Sequence, residues 1–126
     1  MTAALAEEKD RNFNLTVRDV AEAAGIAPSA VRFYEAHGLI TARRTAGNQR
    51  RFDENAACLI KVARVAQRVG LTVRDIAQVF ATLPPNPTPA DWDFVSDTMI
   101  REAENRVTAL RRHLEDLASD ARLCDL

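Results

Sequence analysis

Small apolar residues recur at helical spacing where the patterned part of the chain begins. The stripe consists of Val17, Val20, Ala21 and Ala24. Thr16 precedes it and Asp19 follows three residues later, which is typical of a helix N-cap, and Gly25 ends the pattern where a left-handed residue is needed. A second helical pattern runs from Pro28 to His37. Together the two patterns predict a helix-turn-helix whose second helix is the recognition helix.

Two short segments typical of β-strands follow. Leu39–Arg43 and Gln49–Phe52 flank the turn signal Gly47-Asn48 and predict a small hairpin, or wing. Four arginines lie in the nine residues from Arg43 to Arg51, and they would repel one another unless they face solvent or anions. A solvated hairpin is the plain alternative. Phosphate contact better explains why the positive charge clusters beside the recognition helix.

A second pair of helices is predicted after the hairpin. Asp53 is placed to cap the first of them, and Cys58, beside its apolar stripe, is expected to be a small buried thiol. Thr72 and Asp75 repeat the N-cap pattern for the second helix. Four prolines in the seven residues 83–89 exclude a helix there and predict a short, stiff hinge.

The last part of the chain predicts one long helix with a heptad apolar seam. The seam residues are spaced alternately by three and four positions: Ile100, Ala103, Val107, Leu110, Leu114, Leu117, Ala121 and Cys124. Such a seam is typical of a coiled coil. A helix from Pro89 to Ala121 would measure roughly 50 Å, which is too long to fold back on its own small core. A homodimer with two-fold symmetry is the economical solution.

These patterns divide the 126 residues into four parts. Residues 1–13 lack apolar periodicity and are expected to form a flexible arm. Residues 14–82 form a winged helix-turn-helix domain with the second helix pair. Residues 83–89 are the Pro-rich hinge, and residues 90–126 are the dimerisation helix with a short tail.

Charge is distributed unevenly along the chain. Residues 14–52 hold six arginines against three acidic residues, whereas residues 89–126 hold five arginines against nine acidic residues. The asymmetry predicts that only the first half meets nucleic acid. There is no apolar run typical of a signal peptide or a membrane span, and the two cysteines do not form a disulfide framework. The expected location is therefore the cytoplasm.

Three runs of sequence resemble the MerR family of transcriptional regulators, and within it most closely the SoxR branch. They are TVRDVAEAAGIAPSAVRFYEAHGLI from Thr16, GNQRRF from Gly47 and AQRVGLTVRDI from Ala66. The resemblance covers about residues 14–117. It implies a mainly α fold, with a winged helix-turn-helix DNA-binding domain, a small β wing and a long C-terminal helix that forms an antiparallel coiled-coil dimer.

The resemblance also implies which residues contact DNA. Ser29 and Arg32 would lie in or beside the major groove, and Arg18 and Tyr34 would contact the backbone. The wing would hold phosphates through Arg43, Asn48, Gln49 and Arg50. Thr16, at the start of the first helix, completes this predicted set. Phe52 stands where the family usually has tyrosine, and the expected loss is one hydroxyl contact.

The resemblance does not extend to the SoxR cofactor. SoxR proteins bind a [2Fe–2S] cluster through four cysteines after the coiled coil, but Asp120, Leu123 and Asp125 occupy three of the corresponding positions here. Cys124 is out of register with them. Because a cluster needs four thiolates or an equivalent ligand set, no [2Fe–2S] cluster is expected. No other cofactor and no metal site is predicted.

A possible effector or redox region is formed by Trp92 and Phe94, at the start of the long helix, and by Cys124, near the end of the chain. In an antiparallel pair the end near Cys124 would approach the start of the partner's long helix. A hydrophobic clasp that closes the dimer is favoured over an effector pocket or a redox-active thiol.

The predicted function is that of a homodimeric regulator that binds and distorts a pseudo-palindromic promoter site. Through that distortion it would act indirectly on RNA polymerase. The alternative is a coiled-coil modulator that heterodimerises with a full-length relative, which the missing sensor segment would explain. No nucleophile–base pair, metal-ligand spacing or phosphate-binding loop indicates an enzyme.

Overall fold

The computed structural model describes residues 12–125. In chain order the elements are α1 (Val17–Ala24), α2 (Pro28–Ala36), β1 (Ala42–Arg44), β2 (Arg50–Phe52), α3 (Ala56–Arg68), α4 (Val73–Phe80), α5 (Pro89–Ala118) and a 3-10 turn (Leu123–Asp125). This mainly helical fold with a small two-stranded sheet confirms the predicted fold class at that level. Residues 1–11, most of the predicted arm, lie outside the described residues.

The start of α1 is fixed by a reciprocal capping box. The Asp19 N–H donates to the Thr16 hydroxyl at 3.1 Å, and the Thr16 N–H donates to the Asp19 carboxylate at 2.9 Å. Gly25 closes the helix with φ at 71°, the left-handed conformation that glycine adopts without steric cost. The predicted N-cap and the predicted glycine turn are therefore confirmed. Helix α2 begins at Pro28, as predicted, and ends at Ala36.

The wing is shorter than its predicted strands. Strand β1 begins at Ala42 rather than at Leu39, and β2 begins at Arg50 rather than at Gln49. Leu39 and Ile40 are each only 3% exposed, because they pack into the core at the end of α2, where the Leu39 N–H donates to the Tyr34 carbonyl at 3.0 Å. The hydrophobicity that indicated a strand there serves the core instead.

Phe52 joins the wing to the core. Its side chain is 0% exposed, and its backbone exchanges two hydrogen bonds with Leu15, of 3.1 Å and 2.7 Å. The largest fully buried side chains come from the wing and from every helix: Phe52, Ile60, Ile76, Val20, Val31 and Val95. A single hydrophobic core therefore holds the helix-turn-helix, the wing and the first part of α5 together.

Two sequence expectations for α3 were wrong. The helix begins at Ala56 with Asn55 as its N-cap, and Asp53 instead accepts a hydrogen bond from the Asn55 N–H at 3.2 Å. Cys58 is exposed rather than buried. It lies two residues before the fully buried Ile60, a rotation of about 200° around the helix, so its thiol is on the solvent side.

Helices α4 and α5 begin with capping boxes of the same kind. Thr72 and Asp75 start α4, and Thr88 and Asp91 start α5 at Pro89. The Asp75 carboxylate also forms an ion pair with Arg106 of α5. Asp75 therefore fixes the start of α4 and ties α4 to the long helix.

Hydrogen bonding to the side chain and then to the backbone of Thr72 holds the pKa of Asp75 below its ordinary value, and Arg106 acts in the same direction. The lowered pKa means that ionised Asp75 stabilises the fold above about pH 3.9, the unfolded value, and that this contribution is lost as the pH falls through the folded value. We expect Asp75→Asn to reduce the free energy of unfolding at pH 7 by about 1 kcal/mol. Urea titrations should show the difference from the parent protein shrinking below about pH 3.9. An equal difference at every pH would contradict this assignment.

Helix α5 is a single element of 30 residues. Its first turns pack on the core through Val95, which is 1% exposed, and through Trp92 and Met99. The seam residues that follow are largely exposed, from 49% for Val107 to 60% for Leu110. The helix ends at Ala118, so Ala121 and Cys124 are not on it, contrary to the prediction. None of the helices within residues 12–125 has the length and hydropathy needed to cross a membrane.

Candidate nucleic-acid interface

An open groove of about 430 Å³ lies between the starts of α1 and α2 and the wing. The side chains that line it come from these three elements: Thr16, Val17, Arg18, Pro28, Arg32, Arg44, Asn48, Gln49, Arg50 and Arg51. Five of the ten are arginines and none is acidic. Since each guanidinium presents planar N–H donors that match phosphate geometry, the groove is suited to a polyanion.

Hydrogen bonds within the wing hold its arginines in place. Arg44 Nη1 donates to the Asn48 carbonyl at 3.0 Å across the turn, where Asn48 adopts a positive φ of 62°. Arg51 Nη2 donates to Gln49 Oε1 at 3.0 Å, and Arg50 Nε lies 2.5 Å from Glu35 Oε1 of α2. The Arg50–Glu35 contact joins the wing to the recognition helix, so both are presented as one surface.

The helical arginines of the groove differ from those of the wing. Arg18 and Arg32 are exposed, and neither forms a hydrogen bond or an ion pair that the structure records with another residue of 12–125. Arg32 is one turn inside α2 and Arg18 is in the first turn of α1. Their guanidinium groups are therefore available to an external ligand.

The structure brings together six of the nine residues predicted to contact DNA: Thr16, Arg18, Arg32, Asn48, Gln49 and Arg50. Ser29 is exposed at the start of α2 but is not among the lining residues. Arg43 instead stacks its guanidinium 4.2 Å from the centre of the Phe13 ring. Arg44 and Arg51 line the groove and were not in the predicted set. The signal that could have included them is the same cluster of four arginines.

Tyr34 occupies a structural position. Its side chain is 7% exposed and its hydroxyl donates to Gln67 Oε1 of α3 at 2.7 Å. The resemblance placed Tyr34 at the DNA backbone, whereas in the structure this hydroxyl braces α2 against α3. The side chain does not line the groove.

The three residues of the predicted effector or redox region are not brought together within one chain. Trp92 is half-buried and lines an apolar cavity of about 240 Å³ between α3 and α5. Phe94 is 57% exposed, and Cys124 lies in the 3-10 turn beyond α5. Within residues 12–125, His, Cys, Asp and Glu side chains nowhere gather in the groups of three that could hold a metal ion.

The helix-turn-helix and its basic wing define the class, a winged helix-turn-helix protein, and comparison with known proteins identifies the family. Residues 16–52 match the model of the MerR family regulatory protein. An HTH-type transcriptional activator SoxR homolog of Chromobacterium violaceum is 37% identical over 107 residues, which cover 83% of this chain and 72% of that protein. The HTH-type transcriptional regulator CueR of Yersinia pestis is 29% identical over 104 residues, covering 82% of this chain and 70% of CueR. The chain belongs to the MerR family of transcriptional regulators.

Solved structures of the same family share the fold. A MerR family transcriptional regulator from Listeria monocytogenes superposes with a TM-score of 0.57 at 21% identity and covers 83% of this chain and 81% of its own. HiNmlR, a MerR family regulator that lacks the sensor domain and was solved bound to promoter DNA, gives a TM-score of 0.53 at 22% identity. That match covers 84% of this chain and 86% of HiNmlR.

Proposed function

We propose that this MerR family protein is a homodimeric regulator that binds promoter DNA through the groove between α1, α2 and the wing. The observation that supports DNA binding most directly is the composition of the groove, with five arginines and no acidic side chain. HiNmlR, which has the same fold, was solved on promoter DNA without a sensor domain. Helix α2 would enter the major groove, while the wing would hold the phosphate backbone.

The roles within the groove follow from position and chemistry. Arg32 projects from the recognition helix, where a guanidinium can pair with O6 and N7 of guanine. Arg18, in the first turn of α1, and the wing residues Asn48, Gln49 and Arg50 are placed for phosphate oxygens. Because phosphate contacts release counterions, binding would weaken steeply as salt is added.

The exposed seam of α5 supports the dimer. Ile100, Val107, Leu110, Leu114 and Leu117 are each about half exposed, and their heptad spacing is that of a two-stranded coiled coil. A two-fold dimer would present two recognition helices to successive major grooves of a pseudo-palindromic site. Bending that site by a moderate angle would cost about 1–6 kcal/mol, which the phosphate contacts of two wings would offset, and the bend would act on RNA polymerase through the promoter.

Substitution of the groove arginines tests the contact assignment. We expect Arg32→Ala and Arg50→Ala each to weaken binding to the protein's own promoter region roughly tenfold or more. Arg50→Ala should also reduce the slope of log K against log salt by about 1.8, since one phosphate contact is removed from each of two subunits. Arg32→Ala should mainly reduce the preference over unrelated DNA. Fluorescence anisotropy at several salt concentrations gives both quantities.

Arg74→Ala is the matched control, because Arg74 is exposed on α4 and does not line the groove. It should bind as tightly as the parent protein. If Arg32→Ala and Arg50→Ala also bind the promoter like the parent, the groove is not the DNA-binding surface.

We further propose that this regulator works without an iron–sulfur cluster. Asp120, Leu123 and Asp125 stand at three of the positions where the SoxR branch has cysteine, and Cys124 offers one thiolate per chain against the four ligands that a cluster needs. Protein purified without oxygen is expected to lack visible absorbance. A [2Fe–2S] absorption band would contradict the proposal.

A further inference from the structure

Helix α3 carries a second apolar stripe on the side away from the core. Its members are spaced by four, three and four residues: Cys58, Val62, Val65 and Val69. Val65 and Val69 are 46% and 47% exposed. Three exposed cations run beside them, Lys61, Arg64 and Arg68, and with Val65 they line a groove of about 370 Å³. The stripe and the cations together are called the α3 outer face.

The α3 outer face continues onto α5. Val62 and Val65 share an apolar cavity of about 240 Å³ with Trp92, Val95, Ser96 and Met99 of α5. One residue beyond Met99 the exposed seam begins, with Ile100 53% exposed. Apolar surface that is continuous over two helices and edged by charge is typical of a protein–protein contact.

We propose that the α3 outer face and this cavity receive the C-terminal end of α5 from a second copy of the chain. Leu114 and Leu117 would cover the apolar part, and Glu115 and Asp116 would meet the cations of α3. The inference rests on the proposed dimer and adds a second contact to it, between α5 of one copy and α3 of the other.

The end of α5 complements the α3 outer face in both apolarity and charge. Leu114 and Leu117 are 55% and 59% exposed, and three exposed acids lie beside them: Glu115, Asp116 and Asp120. Head-to-tail pairing of two α5 helices alone would bring these acids close to the acidic start of α5, at Asp91, Asp93 and Asp97. The three cations of α3 supply the opposite charge.

The chain cannot fill this cavity with its own α5 end. Helix α5 is uninterrupted from Pro89 to Ala118, and Asp116 lies seventeen residues beyond Met99, which is about 25 Å along a helix. Only a second copy can bring Asp116 to Arg64. The contact also requires the two α5 helices to run antiparallel, because the end of one must lie beside the start of the other.

Disulfide trapping tests the contact directly. In chains carrying Cys58→Ser and Cys124→Ser, one preparation would carry Arg64→Cys and the other Asp116→Cys, and the mixture would be oxidised with diamide. We expect a covalent heterodimer on a non-reducing gel. Gln78→Cys, on the exposed side of α4, replaces Arg64→Cys in the control and should not cross-link. Equal cross-linking from Gln78→Cys, or no cross-linking from Arg64→Cys, would overturn the proposal.

Charge reversal gives an independent test with the thiols unchanged. Arg64→Glu and Asp116→Arg should each raise the dimer dissociation constant about tenfold at physiological salt, and the double variant should restore it, as measured by analytical ultracentrifugation. Trp92, the one tryptophan in the sequence, lines the cavity, so its emission should shift to shorter wavelength as the dimer forms. No rescue in the double variant would count against the contact.

The same proteins separate the possible failures. If the unmodified chain is monomeric, the proposed dimer fails and this contact fails with it. If the unmodified chain is a dimer that binds DNA but does not cross-link, only this contact fails. If Arg64→Glu weakens DNA binding while the dimer dissociation constant is unchanged, the cations of α3 bind phosphate rather than a second α5, and the proposal is overturned.

Discussion

Leu110→Lys should convert the proposed dimer into a monomer at micromolar concentration. Leu110 is 60% exposed in the single chain and lies in the middle of the α5 seam. Burial of a leucine is worth about 1.5–3 kcal/mol, and two-fold symmetry places the substitution in the interface twice. The dissociation constant should therefore rise by roughly two to four orders of magnitude.

Sedimentation velocity would follow the oligomeric state of Leu110→Lys, and far-UV circular dichroism would show that the helices persist. Asn105→Lys introduces the same side chain at an exposed position of α5 that heptad spacing places on the side opposite the seam, and it should remain dimeric. Affinity for a two-half-site promoter should fall with Leu110→Lys and not with Asn105→Lys. A Leu110→Lys protein that stays dimeric would show that the seam is not the dimer interface.

Phe52→Ala should destabilise the fold more than any other single truncation in the wing. The ring is fully buried, and removing a buried phenylalanine side chain typically costs about 3–5 kcal/mol, out of a total stability of about 5–15 kcal/mol for a domain. The loss should appear as a lower urea midpoint with an unchanged slope.

Phe33→Ala is the matched control for Phe52→Ala, since Phe33 is 42% exposed on α2 and contacts the ring of His37 with 4.2 Å between ring centres. Its unfolding free energy should stay much closer to that of the parent protein. Equal losses for the two substitutions would mean that the core does not depend on Phe52 as its burial indicates.

The helix starts could be predicted because local rules determine them. A threonine followed three residues later by aspartate forms a capping box whatever the rest of the chain does, and Thr16 and Thr72 were recognised in this way. Thr88 and Asp91 carry the same signal but were assigned to the hinge because of the surrounding prolines. The side of α3 that faces the core was harder, because two apolar stripes share that helix and only tertiary packing selects between them. Cys58 was misplaced for that reason.

The groove could be located from the sequence but not completed. A cluster of arginines next to a recognition helix indicates where an anion would bind. It does not say which arginines point inward, because strands of three residues give too few alternations to determine a face. Arg43 therefore stacks on Phe13, while Arg44 and Arg51 line the groove.

The Leu15–Phe52 backbone pair has a consequence for how such regulators diversify. Its two hydrogen bonds close the chain on itself at the two ends of the segment that matches the family model, residues 16–52. A loop that is fastened at its own ends keeps its internal geometry whatever is attached behind it. Recombination can then join the same DNA-reading unit to a different downstream helix or sensing segment without redesigning either part.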